Sequence, residues 1–210
     1  AYTAIAIGAA KVLGFDLMHN FNKPFFSTSS MEFWKRWHIS LMYWMRDYLY
    51  RPLVVNLKMR RLQAVLLVFF IIGLWHGANW TFMIWGLLNA LYFLPLLLLK
   101  RNRRNVGNIA EGRLLPNVRD GFSMLSTFMI TVFAWIFFRA ESLTHALQYI
   151  KGLLSTSLFS SPEVLPKLVL VLIVFFIIIE WLGREGQYGI EKLLLGFPKI
   201  LRWGFYSLIV

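Results

Sequence analysis

The chain reads as an all-α protein, a multi-pass integral membrane helical bundle with amphipathic or re-entrant helices. Three observations predict this. Hydrophobic residues make up 58% of the chain and charged residues 15%, with a mean hydropathy of +0.59. Globular domains sit near half apolar and about a quarter charged. No Lys, Arg, Asp or Glu stands between Arg61 and Lys100, a run long enough for two spans of about 20 residues each. Basic residues collect between the apolar blocks, as at Lys100, Arg101, Arg103 and Arg104. The formal net charge of +12 then fits cationic cytoplasmic loops. No nucleic-acid motif accompanies it, so no nucleic-acid partner is expected.

The elements follow in order. Ala1 to Ala10 reads as the end of a helix, closed by Lys11 and Gly14. The stretch FNKPFFSTSS is a loop by its Asn, Pro and Ser content. Ser29-Ser30-Met31-Glu32 fits a capping box and announces a helix. That helix is predicted to run from about Ser30 to Tyr50. Trp34, Trp37, Leu41, Trp44, Met45 and Tyr48 recur every three or four residues and form one aromatic stripe. Arg36, Ser40, Tyr43 and Asp47 take the opposite face, and His38 lies on the rim. Pro52 ends or kinks the helix.

A basic loop (Arg51, Lys58, Arg60, Arg61) precedes the uncharged run, which should fold as two helices of similar length turning near Gly77-Ala78-Asn79. A polar loop from Lys100 to Asp120, an uncharged segment from Gly121 to Phe138, and a mostly polar connection from Arg139 to Pro166 come next. A further apolar segment covers Leu168 to Ile179, and a basic stretch covers Arg184 to Arg202. The 100–120 loop carries Lys100, Arg101, Arg103, Arg104, Arg113 and Arg119. The next connection carries only Arg139 and Lys151. The first is therefore expected in the cytoplasm, with the turn after His76 toward the outer side. Both ends of the sequence are short apolar pieces and are expected to be cuts within membrane segments of a longer chain.

His76, in GLWHGANW, is the residue most in need of a reason. Ionisable groups inside a bilayer are costly and tend to mark functional pathways. The competing use is a hydrogen-bonded packing histidine. Trp75 and Trp80 could shield it from lipid, and Gly73 and Gly77 leave room for a ligand or another backbone. His38 alone could be an interfacial residue. His19 and His145 read as solvated loop residues. Cysteine is absent, which excludes thiolate metal sites and a cysteine nucleophile. No third ligand stands at a metal-binding spacing, and no metal or bound cofactor is expected. Phosphate loops, GxSxG elbows and HExxH are absent.

The segments EFWKRWHISLMYWMRDYLYRPL and GLWHGANWTFMIWGLLNA resemble the membrane-bound O-acyltransferase family. They are most similar to its bacterial branch of alginate O-acetylation and teichoic-acid D-alanyl transfer proteins. AYTAIAIGAAKVLGF and FAWIFFRAESLTHAL extend the resemblance over most of residues 1–150. It implies that this is a C-terminal part of one such membrane domain, lacking an N-terminal half and a short C-terminal end. It also implies two functional histidines, both catalytic candidates: His76 as the general base, and His38 to position the donor or assist proton transfer. The family often has an acid where Ala4 stands and a histidine near Asn89.

The implied reaction is acyl transfer, most simply of acetyl groups, from a cytoplasmic donor toward hydroxyls of an extracytoplasmic polysaccharide. The implied donor is acetyl-CoA or an acyl carrier thioester. An extracytoplasmic acetyltransferase is an expected partner, and the bacterial inner membrane the expected location. The Trp75 indole N–H and the Asn79 amide are candidate oxyanion donors, and Trp80 a further substrate contact. Arg36, Arg46 and Arg51 are candidate contacts to an anionic donor. D-alanyl transfer, a non-catalytic membrane scaffold and a transporter fragment with histidines on a proton path remain alternatives.

Overall fold

The computed structural model describes residues 2–99, 109–156, 165–186 and 196–209. Lys100, Arg101, Arg103 and Arg104 of the basic loop lie outside them, as does part of the 184–202 stretch. The described residues form helices α1 (Tyr2–Val12), α2 (Ser30–Arg36), α3 (Ile39–Trp44), α4 (Arg51–Val55), α5 (Arg61–His76), α6 (Trp80–Leu98), α7 (Val118–Arg139), α8 (Leu143–Leu153), α9 (Lys167–Leu182) and α10 (Lys199–Ile209). They contain no strand, only an isolated antiparallel bridge between Phe21 and Trp37. The helical class is as expected. α6 (19 residues) and α7 (22 residues) are long and apolar enough to cross a membrane, whereas α5 has 16 residues. Of the two spans expected between Arg61 and Lys100, one therefore reaches spanning length on its own.

The chain divides into two compact units, Ala1–Ile109 with Pro116–Ser160, and Ala110–Leu115 with Ser161–Val210. In the first, α5 and α6 form an antiparallel pair, with α7 against α6 and α2 against both α6 and α7. Phe33, Trp34, Val68, Phe69, Ile72, Trp85 and Ala134 are among its buried core residues. Two glycines let α5 and α6 come close. A Cβ on Gly86 would collide with the Phe69 carbonyl, and one on Gly73 with the Phe82 carbonyl. Gly73 thus admits a backbone rather than a ligand.

In the second unit, the 8%-exposed Arg184 guanidinium donates to the carbonyls of Trp181, Ala110 and Arg113 and lies 4.5 Å over the Trp181 ring. This residue of the basic stretch is therefore a packing element rather than a loop charge.

The single helix expected from Ser30 to Tyr50 is broken. The capping box forms as read, with the Ser29 hydroxyl accepting the Glu32 N–H at 3.3 Å. But α2 stops at Arg36, and His38 adopts a left-handed conformation at φ 48°, ψ 52°. A non-glycine residue there costs about 1–2 kcal/mol, so outside contacts must hold it. Beyond the break the period also changes. Met45–Tyr50 is a π-helical turn in which the Arg51 N–H bonds the Arg46 carbonyl. Widening the turn just before Pro52 accommodates a residue that lacks an N–H and would clash one turn back. Pro52 consequently sits in the first turn of α4 and ends nothing.

These breaks split the expected stripe. Trp34 and Met45 are buried, while Trp44 and Tyr48 are exposed at 53% and 70%. The connection expected to be mostly polar after Arg139 contains α8, capped by the Ser142 hydroxyl accepting from the His145 N–H.

Candidate active site

His38 is held by the loop at Asn20 and Asn22, earlier in the chain. The Asn20 carbonyl accepts the Ile39 N–H at 3.0 Å, and its Oδ1 accepts both the Ser40 N–H at 3.0 Å and the Ser40 hydroxyl. The Asn22 N–H donates to the Arg36 carbonyl at 2.9 Å. The chain on both sides of His38 is thereby pinned, which supports the left-handed residue between.

Glu32 braces the same region. Its carboxylate, on a residue 4% exposed, accepts from the Thr28 N–H and hydroxyl at 2.8 Å each. It also pairs with the Arg36 guanidinium at 3.0 Å. Arg36 additionally donates to the Asn22 carbonyl at 3.3 Å. Its visible work is therefore structural. Arg46 instead pairs with Asp47 at 2.8 Å and covers the Tyr43 ring. With Lys35, Arg46 lines an apolar cavity of about 290 Å³ among Trp34, Met45, Phe69 and Phe93. Arg51 is exposed and also pairs with Asp47.

His76 is the last residue of α5, and the turn Gly77-Ala78-Asn79 follows as expected. The Trp75 ring lies 4.9 Å from His76 and 6.1 Å from His38. One indole thus stands beside both imidazoles. The rest of the His76 enclosure comes from Trp85 at 5.2 Å and Phe138 of α7 at 4.9 Å, with Phe82 at 6.3 Å.

Trp80, expected as a shield, is 65% exposed and is not among these rings. Trp85 and Phe138 do that work. Trp85 could have been found from its place in the second turn of α6, facing the end of α5. Phe138 carries no local signal, because its approach depends on how α7 packs.

The Asn79 side chain is partly committed. Its Oδ1 accepts the Thr81 N–H at 3.1 Å and its amide donates to the Glu141 carbonyl at 3.2 Å. It caps α6 and ties the turn to the end of α7. Asn89, where the family often has histidine, is buried and donates to the Trp85 carbonyl at 2.8 Å. The serine cluster behaves as loop and cap. The Ser27 hydroxyl donates to the Pro24 carbonyl at 2.7 Å and that of Ser30 to the Tyr92 carbonyl at 3.0 Å.

Burial pushes the His38 imidazole below its ordinary pKa, so its neutral form prevails near pH 7. Its Nδ1 is buried without a hydrogen-bond partner among the described residues. An unpaired nitrogen of this kind can accept a proton or a donor hydrogen bond. Because Asn20 holds the backbone around His38, Asn20→Ala should move this imidazole without altering its chemistry. The expected result in the full-length protein is acyl transfer reduced about 10-fold or more, at unchanged abundance. Steady-state kinetics checks this. Unchanged turnover would show that the loop does not position His38.

The sequence profile of the membrane-bound O-acyltransferase family matches residues 1–139. The chain is 37% identical over 156 residues to the probable alginate O-acetylase AlgI of Pseudomonas aeruginosa, covering 73% of this chain and 28% of that protein. It is 36% identical over 155 residues to the peptidoglycan O-acetyltransferase of Helicobacter pylori, covering 72% and 28%. It is also 37% identical over 98 residues to the teichoic acid D-alanyltransferase of Bacillus subtilis, covering 42% and 25%. The chain thus spans less than a third of the length of each of these relatives. With the family's profile matched across most of the chain, and both histidines inside the matched region, the chain belongs to the membrane-bound O-acyltransferase family.

Proposed function

We propose that the longer protein containing this chain is a multi-pass O-acyltransferase of the bacterial cytoplasmic membrane. It moves an acetyl group from a cytoplasmic thioester, acetyl-CoA or an acyl carrier, toward hydroxyls of an extracytoplasmic polysaccharide. The supporting observation is the meeting of His38 and His76 beside the single Trp75 indole.

In this reading His76 takes the proton of the attacking hydroxyl. The oxygen adds to the thioester carbonyl, and the Trp75 N–H is the candidate donor to the resulting oxyanion. The tetrahedral intermediate expels the thiolate, which takes the proton back from the His76 imidazolium. His38 positions the donor or assists the proton. Lys35 and Arg46, which line the apolar cavity beside the first turns of α5 and the last turns of α6, are in this reading the candidate contacts to an anionic donor. The sidedness follows the excess of basic residues between Lys100 and Asp120, which the positive-inside tendency assigns to the cytoplasm in this reading.

D-alanyl transfer is the second reading, favoured by the similarity to the B. subtilis protein. Membranes containing the full-length protein should move label from acetyl-CoA to polymer hydroxyls. Label moving only from a D-alanyl carrier thioester selects the second reading. No acyl transfer from either donor leaves a scaffold or a transporter and overturns both.

A further inference from the structure

A second cavity, of about 470 Å³, lies between the last turn of α7 and helix α8. Trp135, Arg139, Glu141, His145 and Tyr149 are among its lining residues. It is joined to the histidine site by two contacts: Phe138, one residue before Arg139, packs on the His76 ring at 4.9 Å, and the Asn79 amide donates to the Glu141 carbonyl. The turn after His76 and the cavity wall are therefore in direct contact.

The lining has an unusual composition for a chain this apolar. The Arg139 guanidinium and the Glu141 carboxylate stand two residues apart without an ion pair to each other or to other described groups. Tyr149 is 57% exposed. Trp135 is anchored from behind by Trp37 at 5.3 Å and Phe25 at 6.2 Å. Planar fork donors, a carboxylate acceptor and an imidazole are suited to paired hydroxyls. Rigid aromatic rings offer apolar faces at low entropic cost.

We propose that this cavity is an acceptor-side subsite that binds one pyranose ring of a polysaccharide. Arg139, Glu141 and His145 hydrogen-bond vicinal hydroxyls, and Trp135 with Tyr149 pack on the C–H faces of the ring. Opposite charges on one wall favour a hydroxyl-rich ring over a phosphate-bearing linear polyol. The proposal rests on the acyltransferase reading for its biological meaning, but its chemistry can be measured without turnover.

The test is equilibrium binding to the full-length protein in nanodiscs. The probes are a hexuronic-acid tetrasaccharide, a neutral hexose tetrasaccharide, the permethylated neutral form and a glycerol-phosphate oligomer. Binding of either free-hydroxyl tetrasaccharide is expected, weakened about tenfold by Glu141→Gln and by Tyr149→Ala, and abolished by permethylation. These side chains are exposed, so both variants should fold. Binding unaffected by either substitution, or glycerol phosphate binding as tightly as the sugars, overturns the proposal.

Accessibility gives a second measurement. In a cysteine-free background, Tyr149→Cys should react with a membrane-impermeant maleimide from outside, and the tetrasaccharide should protect it. An unreactive thiol means that the rest of the protein fills the cavity or that it faces inward, and either result overturns the assignment. His76→Gln should leave sugar binding intact. Sugar binding without acyl transfer in the unsubstituted protein would therefore sink the catalytic reading while keeping this one, and transfer without binding would do the reverse.

Discussion

His76→Gln in the full-length protein is expected to lower acyl transfer by about 10²–10⁴-fold, the usual contribution of a general base. Glutamine keeps much of the shape and some hydrogen-bonding capacity but cannot take the proton. The enclosure by Trp75, Trp85 and Phe138 is aromatic, so an uncharged residue of similar size should insert and pack there. Abundance in the membrane should stay near that of the parent. The measurement is acyl product per unit of protein, with His76→Ala alongside. Near-normal transfer by His76→Gln would make His76 a packing residue and move the base elsewhere. His38→Gln should be milder if His38 only positions the donor, and the ratio of the two effects separates their roles.

Gly86→Val is expected to act by a different route and to remove the protein from the membrane fraction. Even the first carbon of a side chain at Gly86 would run into the Phe69 carbonyl, with the Gly73 nitrogen 3.4 Å away. Backbone cannot yield as the tip of a flexible side chain can. The helices α5 and α6 must separate, and with them go the Trp34–Phe69 and Trp34–Trp85 ring contacts at 5.3 and 5.9 Å. Overpacking of a close-packed interior typically costs about 1–3 kcal/mol, and valine adds two methyl groups beyond the colliding carbon. Quantitative blotting and thermal melting of solubilised protein read this directly. Gly121→Val is the control, because nothing lies within 4 Å of a Cβ there. Equal abundance of the two variants would show that the helices are not held at the distance seen here.

Much of the architecture was legible because it is written locally. The uncharged run from Leu62 to Leu99 demanded helices, and the turn fell at Gly77-Ala78-Asn79 where small and capping residues cluster. Ser29 and Glu32 announced α2 by their spacing. What failed was the extension of one helical period from Ser30 to Tyr50. Nothing in RWHISL marks a break, since no glycine or proline stands there. Local propensity favours one continuous period through His38, and tertiary contacts override it.

By itself, the sequence determined that the chain is apolar and helical, where the main turns fall, and that His38 and His76 stand out from their surroundings. Those properties depend on hydropathy, spacing and capping within a few residues. Only the tertiary structure decided that His38 is left-handed, because the groups that hold it come from Asn20 and Asn22 in a separate loop. It alone decided that Arg36 is tied to Glu32 and the Asn22 carbonyl, and that Trp85 and Phe138, rather than Trp80, enclose His76. The physical reason is range. A helical period constrains neighbours one turn apart, whereas a ring contact between α5 and α7 depends on how whole helices pack, which no local pattern encodes.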